Sequence, residues 1–346
     1  MSRYALAKAT IWNETTKQEL RALIRKERPQ VVHFHNTLPL ISPAAYYAAR
    51  AEGVAVVQTL HNYRLLCVNA QFFREGRVCE DCLGRAIPWP GVAHACYRGN
   101  RSSSGAVAAM LMTHRAMGTW TNAVDAYVAL THFARQKFIQ GGIPAEKVVV
   151  KPNFLHPDPG PGEGKGDYFL FVGRLSEEKG VDTLLAAWKK LPEKAVLKIV
   201  GDGPLAPNVL EASKRLTGIE WLGKQPKDRV IDLMKDARAL LFPSMWYEGF
   251  PMVIAEAYAV GLPVIASNLG SMASLIAHGR TGLHFDYGNP MDLAARVEWS
   301  LSHQEELGRM RQEARGEFVV KYSAERNYHL LMEIYRKAME RMEVRA

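Results

Sequence analysis

The chain has 346 residues, of which 48% are hydrophobic and 23% charged, a balance that supplies a large core and excludes a disordered or fibrous protein. At roughly 150 residues per domain, the length predicts about two domains. The longest uncharged stretches, residues 29–49 and 257–279, are interrupted by histidine, proline or glycine, so neither predicts a membrane span.

The positive charge is concentrated in the N-terminal part of the chain. Residues 1–153 contain 19 Lys and Arg against 9 Asp and Glu, whereas the remaining residues contain 25 against 26. This asymmetry predicts an anionic partner of the first domain, such as a membrane surface, a polyphosphate or a nucleic acid, and a merely solvated surface is the alternative.

The basic residues nearest the N-terminus are clustered. Arg21, Arg25, Lys26 and Arg28 lie within two helical turns, so we expect them to face anionic lipid or an anionic glycan. The N-terminal residues show no apolar run typical of a secretory signal. We therefore expect a cytoplasmic protein that is peripheral to the inner face of the membrane.

The first half alternates helices with β-branched runs. The predicted elements are a helix ending near residue 28, strand 31–34, helix 43–52, strand 54–59, strand 126–130, a helix ending at 138 and strand 147–151. Strands that alternate with helices form parallel sheets. Residues 156–166 then contain three prolines and four glycines, the composition of a linker between domains.

Beyond the linker, strands again alternate with helices. Six strands are predicted at residues 168–172, 196–200, 219–222, 239–243, 263–266 and 282–285, and such a set makes a doubly wound sheet. The predicted fold class is α/β with two Rossmann-like domains, residues 1–155 and 156–321. Residues 322–346 predict a helix whose apolar stripe packs back toward the first domain.

Ligands of open α/β sheets lie beyond the carboxyl ends of the strands, where the second half carries charged turns. Arg174 comes directly after Gly173 at the first of these ends, and Lys179 follows at a helix start. An Arg clamps a phosphate with two donors and a Lys adds a point charge. The pair predicts a nucleotide diphosphate site, and ion pairs of these cations with Glu177 or Glu178 are the alternative.

Two further turns support the same prediction. Gly201 and Gly203 follow the second strand of this half, in a Gly-Asp-Gly-Pro turn. Gly249 and Phe250 present amides where the next helix begins, an arrangement that attracts an anion.

Glu248 and Glu256 stand eight positions apart near the last of these turns. A carboxylate beside a bound anion would be repelled. We therefore expect these two side chains to bind hydroxyls, one of a sugar and one of a ribose, and a chance spacing is the alternative.

These motifs resemble a known family. The Gly-Arg-Leu-Ser-Glu-Glu-Lys-Gly turn from Gly173, the turn from Gly201, and Glu248 with Glu256 are similar to the donor half of the retaining, GT-B-fold nucleotide-sugar glycosyltransferases of family 4. Residues 29–36, 58–63 and 151–154 also resemble this family, so the likeness covers nearly all of the chain.

The resemblance implies a role for each residue. Arg174 and Lys179 would neutralise the departing diphosphate, Glu256 would hold the ribose, and Glu248 would lie against the transferred sugar. His61 would contact the sugar or the acceptor, and a satisfied core histidine is the alternative reading. No metal is required for catalysis if Arg and Lys supply the positive charge.

The implied reaction moves a hexose with retained configuration from a UDP-type or GDP-type sugar to a glycan or lipid-linked acceptor, as in polysaccharide biosynthesis. A non-catalytic or weakly active sugar-nucleotide binder is the alternative, and a GT-B epimerase or phosphorylase is the rival enzyme. A nucleic-acid binder is not expected, because it leaves Glu248 and Glu256 unexplained.

All four cysteines, Cys67, Cys79, Cys82 and Cys96, lie within 30 residues. Two residues separate the middle pair, and four thiolates are the ligand number of a structural tetrahedral zinc site. We predict structural zinc here. Two disulfides, an iron–sulfur cluster and free thiols are the alternatives.

By comparison with the family, we expect the strand, glycine-rich turn and helix that open the first domain to be missing, so that this domain is incomplete. We therefore expect nucleotide binding with little or no sugar transfer. An exposed sheet edge would also favour a homo-oligomer.

Overall fold

The computed structural model describes residues 3–344, which divide into two units. Unit 1 comprises residues 3–74, 79–152 and 328–344, and unit 2 comprises residues 75–78 and 153–327. This division follows packing, whereas the predicted boundaries after residues 155 and 321 follow composition. No helix within residues 3–344 has both the length and the apolar character needed to cross a bilayer.

Unit 1 is built on a parallel sheet of four strands. The strands before residue 153 are β1 (Val31–Phe34), β2 (Ala55–Leu60), β3 (Phe73–Arg74), β4 (Arg77–Val78), β5 (Ala126–Ala129) and β6 (Val148–Val150). The four-stranded sheet has the order β1-β2-β5-β6, and β3 pairs with β4 as a short hairpin. Every residue of β2 and β5 is buried, as expected for central parallel strands covered on both faces.

Residues 3–152 contain six α-helices. They are α1 (Arg3–Ile11), α2 (Glu14–Glu27), α3 (Ala44–Ala51), α4 (Trp89–Ala93), α5 (Arg101–Ala116) and α6 (His132–Gln140). The sequence predicted a single helix up to residue 28, but the structure has two helices here, separated near Asn13. The Asn13 side chain accepts a hydrogen bond from Thr16 N and caps the start of α2. The sequence missed α5 because its first turn is rich in serine and glycine, and Asn100 caps it by accepting from Ser103 N.

Unit 2 contains the six strands that the sequence predicted, all parallel. They are β7 (Tyr168–Val172), β8 (Val196–Val200), β9 (Ile219–Gly223), β10 (Leu240–Phe242), β11 (Val264–Ser267) and β12 (Gly282–Phe285), in the order β12-β11-β10-β7-β8-β9. The later helices are α7 (Val181–Trp188), α8 (Ala206–Arg215), α9 (Lys227–Asp236), α10 (Met252–Ala259), α11 (Gly270–Leu275), α12 (Pro290–Ser302), α13 (Gln304–Lys321) and α14 (Ala324–Glu343).

Helices cover both faces of the unit 2 sheet. Successive residues of β7 point to opposite faces, so that Leu170 belongs to one buried cluster and Phe169 to the other. The first cluster includes Tyr258 of α10, and the second includes Trp188 of α7 and Leu293 of α12. The sheet of unit 2 is therefore doubly wound, in agreement with the predicted α/β class.

The strand order of unit 2 reverses between β7 and β10. From β7 the chain adds β8 and β9 on one side, and it then returns to add β10, β11 and β12 on the other. The carboxyl ends of β8, β7 and β10 are consequently neighbours at one edge. Ligands of open α/β sheets bind at such a reversal.

In unit 1, the C-terminal helix α14 packs on the sheet. Ile334 and Ala338 belong to the same buried cluster as Val57 of β2 and Val128 of β5. The apolar stripe of α14 therefore covers part of one face of the four-stranded sheet.

Candidate functional site

In unit 2, the turn that follows β7 is in direct contact with the turn that follows β8. Leu175 N donates to Asp202 O at 2.9 Å. A Cβ atom at Gly201 would lie 1.8 Å from Gly173 O, and one at Gly203 would lie 2.5 Å from Leu175 O. The glycines after β8 are thus required for this close approach, and they support the turn that carries Arg174.

The turn after β7 also meets the end of β10. Gly180 has a φ of +70°, and a Cβ there would lie 1.8 Å from Pro243 O. This contact places Lys179 beside the segment that follows β10. Arg174 is exposed and has no ion pair among residues 3–344, so the predicted alternative of a helix-start pair with Glu177 or Glu178 is not formed by either cation.

Lys179 pairs with Glu248. The distance from Lys179 Nζ to Glu248 Oε1 is 2.7 Å, and the same oxygen accepts from Ser244 Oγ at 2.6 Å and from Trp246 Nε1 at 2.8 Å. Glu248 is only 6% exposed, whereas the Lys179 side chain is 22% exposed. The carboxylate therefore anchors Lys179, a contact that the sequence reasoning did not anticipate when it placed Glu248 against a sugar.

Ser244 and Trp246 were not predicted as site residues. Both follow β10 within a few positions, as Glu248 does, so their place at a strand end was the signal available in the sequence. Their partner atoms could not be inferred from that position.

The start of α10 lies directly after this network. Gly249 and Phe250 precede Pro251, which caps α10 without a side-chain hydrogen bond. No side chain of the N-cap residue therefore pairs with the backbone N–H groups of the first helical turn. Such N–H groups at a helix N-terminus favour binding of an anion. The Phe250 ring packs edge-on against Tyr322, with centroids 5.6 Å apart.

Glu256 lies on α10, eight positions after Glu248. Its side chain is 19% exposed, and Lys227 Nζ is 4.0 Å from its carboxylate. Burial raises the pKa of Glu256, and Lys227 opposes this effect. The structure thus brings Arg174, Lys179 and Glu248 to one edge of the sheet, with Glu256 on the helix that starts there.

Unit 1 carries a cluster of histidines at the ends of β1 and β2. His35 Nδ1 and His61 Nε2 are hydrogen-bonded at 2.7 Å. His33 bonds to Thr59 Oγ1 at 2.7 Å and to Tyr335 OH at 2.8 Å. His61 therefore has a polar partner but is not a fully enclosed core histidine, since it lines a cavity of about 1000 Å³ in unit 1.

These histidines are biased toward the neutral form. Burial lowers the pKa of His61, and His35 and Lys151 lower it further. Burial, with help from Lys151, lowers the pKa of His35, and burial lowers the pKa of His33 to about 4. Neutral imidazoles can accept hydrogen bonds from hydroxyl groups of a ligand.

The basic run on α2 is partly neutralised within unit 1. Arg21 Nε and Arg25 Nε lie 2.7 Å and 2.9 Å from the carboxylate of Glu52. Lys26 Nζ lies 3.4 Å from Glu27. Fewer positive charges are therefore available to an anionic surface than the sequence suggested, and membrane association stays a prediction.

The four cysteines surround one small cavity in unit 1. Cys67, Cys79, Cys82 and Cys96 all line it, and all are free thiols, so the alternative of two disulfides is not what the structure shows. Burial raises the pKa of Cys82 to about 11 and also raises the pKa of Cys79 and Cys96. Cys67 Sγ donates to Asn69 Oδ1 at 2.9 Å.

The described residues do not support the zinc prediction. Within residues 3–344, no group of three or more His, Cys, Asp or Glu side chains is arranged so that it could hold a metal ion.

The zinc assignment therefore stays a prediction, and elemental analysis of the purified protein tests it. One zinc per chain that is lost when Cys79 and Cys82 are both changed to serine would support it. Four thiols that react in the native protein, with no stoichiometric metal, would reject it.

Comparisons with known proteins agree with this geometry. Residues 3–158 match the family model described as Glycosyltransferase Family 4, and residues 157–317 match the one described as Glycosyl transferases group 1.

Two curated relatives illustrate the likeness in sequence. The uncharacterized glycosyltransferase MJ1178 of Methanocaldococcus jannaschii is 35% identical over 166 residues, which are 47% of this chain and 46% of that protein. A D-inositol 3-phosphate glycosyltransferase of Corynebacterium urealyticum is 30% identical over 179 residues, which are 48% of this chain and 42% of that protein. The matches thus span less than half the length of these relatives.

A solved structure extends the likeness to both halves of the chain. The crystal structure of Anabaena Alr3699/HepE in complex with UDP has a TM-score of 0.69 to this chain at 15% identity, covering 92% of this chain and 80% of that one. This comparison shows a shared GT-B fold. Since the two family models together span residues 3–317 and the fold agrees, the chain belongs to the family 4 glycosyltransferases of the GT-B fold.

Proposed function

We propose that this chain transfers a sugar from a nucleotide diphosphate sugar, held by unit 2, to a hydroxyl group of a glycan or lipid-linked acceptor, held by unit 1. The observation that carries the proposal is the placement of Arg174 and Lys179 where the strand order of the unit 2 sheet reverses. The start of α10, whose N-cap residue Pro251 makes no side-chain hydrogen bond, also lies there. Two cations and a helix N-terminus are the groups that recognise a diphosphate.

The chemistry follows from these charges. The bond between the anomeric carbon and the diphosphate oxygen breaks, and a bond from the same carbon to the acceptor oxygen forms on the same face, so that configuration is retained. The proton of the acceptor hydroxyl passes to the departing phosphate oxygen. Arg174 and Lys179 stabilise the negative charge that develops on the leaving group.

Glu248 acts in this proposal by orienting Lys179. Its oxygen accepts from Lys179, Ser244 and Trp246 at 2.6–2.8 Å, which holds the ammonium group in one place. A fixed cation costs no reorganisation when the leaving-group charge appears.

Glu256 and His61 contact the remaining parts of the two substrates in this proposal. Glu256 accepts from hydroxyls of the ribose, and the neutral His61 accepts from a hydroxyl of the sugar or the acceptor. UDP is the first nucleotide to test, because the similar Anabaena protein was solved with it. A hexose is the expected sugar.

Thermal unfolding with and without UDP and UDP-glucose tests the donor site. A ligand at 100 times its dissociation constant stabilises the folded state by about 2.7 kcal/mol, so the midpoint should rise by roughly 5–10 °C. UDP released from UDP-glucose in water then separates a transferase from a non-catalytic binder, because a transferase leaks some sugar to water. Binding without any release or transfer would favour the binder, and no binding of any nucleotide would reject both functions.

A further inference from the structure

The charged side chains that line the cavity of unit 1 are of one sign. It encloses about 1000 Å³ beyond the ends of β1 and β2, the upper end of the range for small-ligand sites. Among the described residues that line it, Arg64 and Arg98 are basic and none is Asp or Glu. A polar cavity that contains arginines but no carboxylate favours an anionic ligand.

Both arginines are held in place by the same aromatic ring. The guanidinium carbons of Arg64 and Arg98 lie 4.9 Å and 5.3 Å from the centroid of Tyr97, which also lines the cavity. Arg64 is half-buried and donates to Val68 O. Neither arginine has an ion pair among residues 3–344, so no protein carboxylate neutralises them. Such preorganised guanidinium groups suit the oxygens of a phosphate.

A helix N-terminus adds a second, independent source of positive potential. The 16-residue helix α5 begins at the cavity, and the cavity wall includes Asn100, which caps it, together with Ser102 and Ser103 of its first turn. The positive end of the helix dipole and two serines thus line the same cavity as the arginines. Lys151 raises the local potential further, since it acts on both His35 and His61.

Part of the cavity lining is apolar. Leu6 and Ala7 of α1 and Ala106 and Val107 of α5 contribute to it. His35 and His61, which follow β1 and β2, also line the cavity. A ligand that matches the basic, the histidine and the apolar parts of this lining has a phosphate, a hydroxyl and an apolar portion.

We propose that this cavity binds the acceptor through a phosphate group, which Arg64, Arg98, Ser102 and Ser103 hold while a hydroxyl of the same molecule lies toward His61. This inference rests on the proposed function, because it names the chemistry of the acceptor. The phosphate can belong to a soluble phosphate ester or to a lipid headgroup, since both present the same oxygens.

Calorimetric titration of the full chain with glycerol 3-phosphate tests the proposal. The titration contains saturating UDP, so that the phosphate-binding residues of unit 2 are already occupied. Uncharged glycerol serves as the ligand control. The buffer contains 0.15 M salt, which limits long-range effects of surface charge to about 8 Å.

Arg98→Gln is the variant that tests the phosphate site, and Arg101→Gln is its matched control. Arg98 is exposed, so its replacement should leave folding intact, whereas Arg64→Gln also removes the bond to Val68 O. Arg101 is an exposed arginine of the same segment that does not line the cavity. We expect Arg98→Gln to weaken glycerol 3-phosphate binding about tenfold or more, and Arg101→Gln to change it less than twofold.

Vesicles of phosphatidylcholine with and without phosphatidic acid identify the source of the phosphate. Arg98-dependent binding to phosphatidic acid vesicles, much tighter than to glycerol 3-phosphate, would assign a lipid acceptor. Tighter binding of the soluble ester would assign a soluble one.

Absence of saturable binding to either phosphate would overturn the inference, as would equal losses in Arg98→Gln and Arg101→Gln. The donor site is judged separately, from UDP affinity, which neither variant should change. Failure to bind UDP would therefore reject the proposed function, whereas UDP binding without phosphate binding would reject only this inference.

Discussion

Replacing Arg174 by alanine is expected to weaken UDP binding ten- to hundredfold while the stability of unit 2 stays unchanged. The side chain is exposed and has no ion pair within residues 3–344, so its loss disturbs no packing. A charge-assisted hydrogen bond contributes about 1.5–3 kcal/mol, which corresponds to that range of affinity. Lys179→Ala should lower the affinity by a similar factor, and titration calorimetry measures both.

Arg215→Ala is the matched control for this experiment. Arg215 is an exposed arginine at the end of α8 whose one ion pair within residues 3–344 is with Glu211 of its own helix, at 2.7 Å. Exposed pairs of this kind contribute little, so UDP affinity should stay within a factor of two. Wild-type affinity in both Arg174→Ala and Lys179→Ala would show that the diphosphate lies elsewhere.

Replacing Glu248 by alanine is expected to lower the free energy of unfolding of unit 2 by about 3 kcal/mol. The change removes the acceptor of three donors at once, from Lys179, Ser244 and Trp246. It also leaves an ammonium group whose side chain is only 22% exposed without its carboxylate. Hydrogen exchange of peptides from β7 and β10 in the full chain reports the loss for unit 2 alone.

A double-mutant cycle shows whether the loss arises from the ion pair. If Glu248 anchors Lys179, the effects of Glu248→Ala and Lys179→Ala should be non-additive by about 1–3 kcal/mol. The exposed pair Arg215 and Glu211 should couple by less than about 0.5 kcal/mol. Additive losses at Glu248 and Lys179 would contradict the anchoring role.

The fold of unit 2 was largely predictable because its signals are local. Buried parallel strands are short β-branched runs such as residues 196–200 and 263–266, and the alternation with helices is visible without any long-range contact. Helices α12 and α13 were missed because their apolar residues are spread among charged ones, and only packing on the sheet shows that Leu293, Val297 and Met310 form one buried surface.

The positions of the proposed donor-site residues along the fold were predictable from the sequence, and their contacts were less so. Arg174, Lys179 and Gly249 stand at strand ends or helix starts, and Glu256 lies on the helix that follows Gly249, as the order of elements reveals. Parallel topology then brings these ends to one edge of the sheet. The partner of each side chain depends on which turn lies beside it, and the sequence order alone did not reveal that β7 has both β8 and β10 as neighbours.

The sequence by itself thus determined the α/β class, the six strands of the second half and the family resemblance, because each depends on neighbouring residues or on fixed spacings. Only the tertiary structure decided that Glu248 holds Lys179, 69 positions away, and that Arg64 and Arg98 meet at Tyr97. Lys179 with Glu248 and Arg64 with Tyr97 are contacts between residues that are distant along the chain, whereas Arg98 is adjacent to Tyr97. The distant contacts form because, within each unit, the turns after neighbouring strands lie close together in the folded chain.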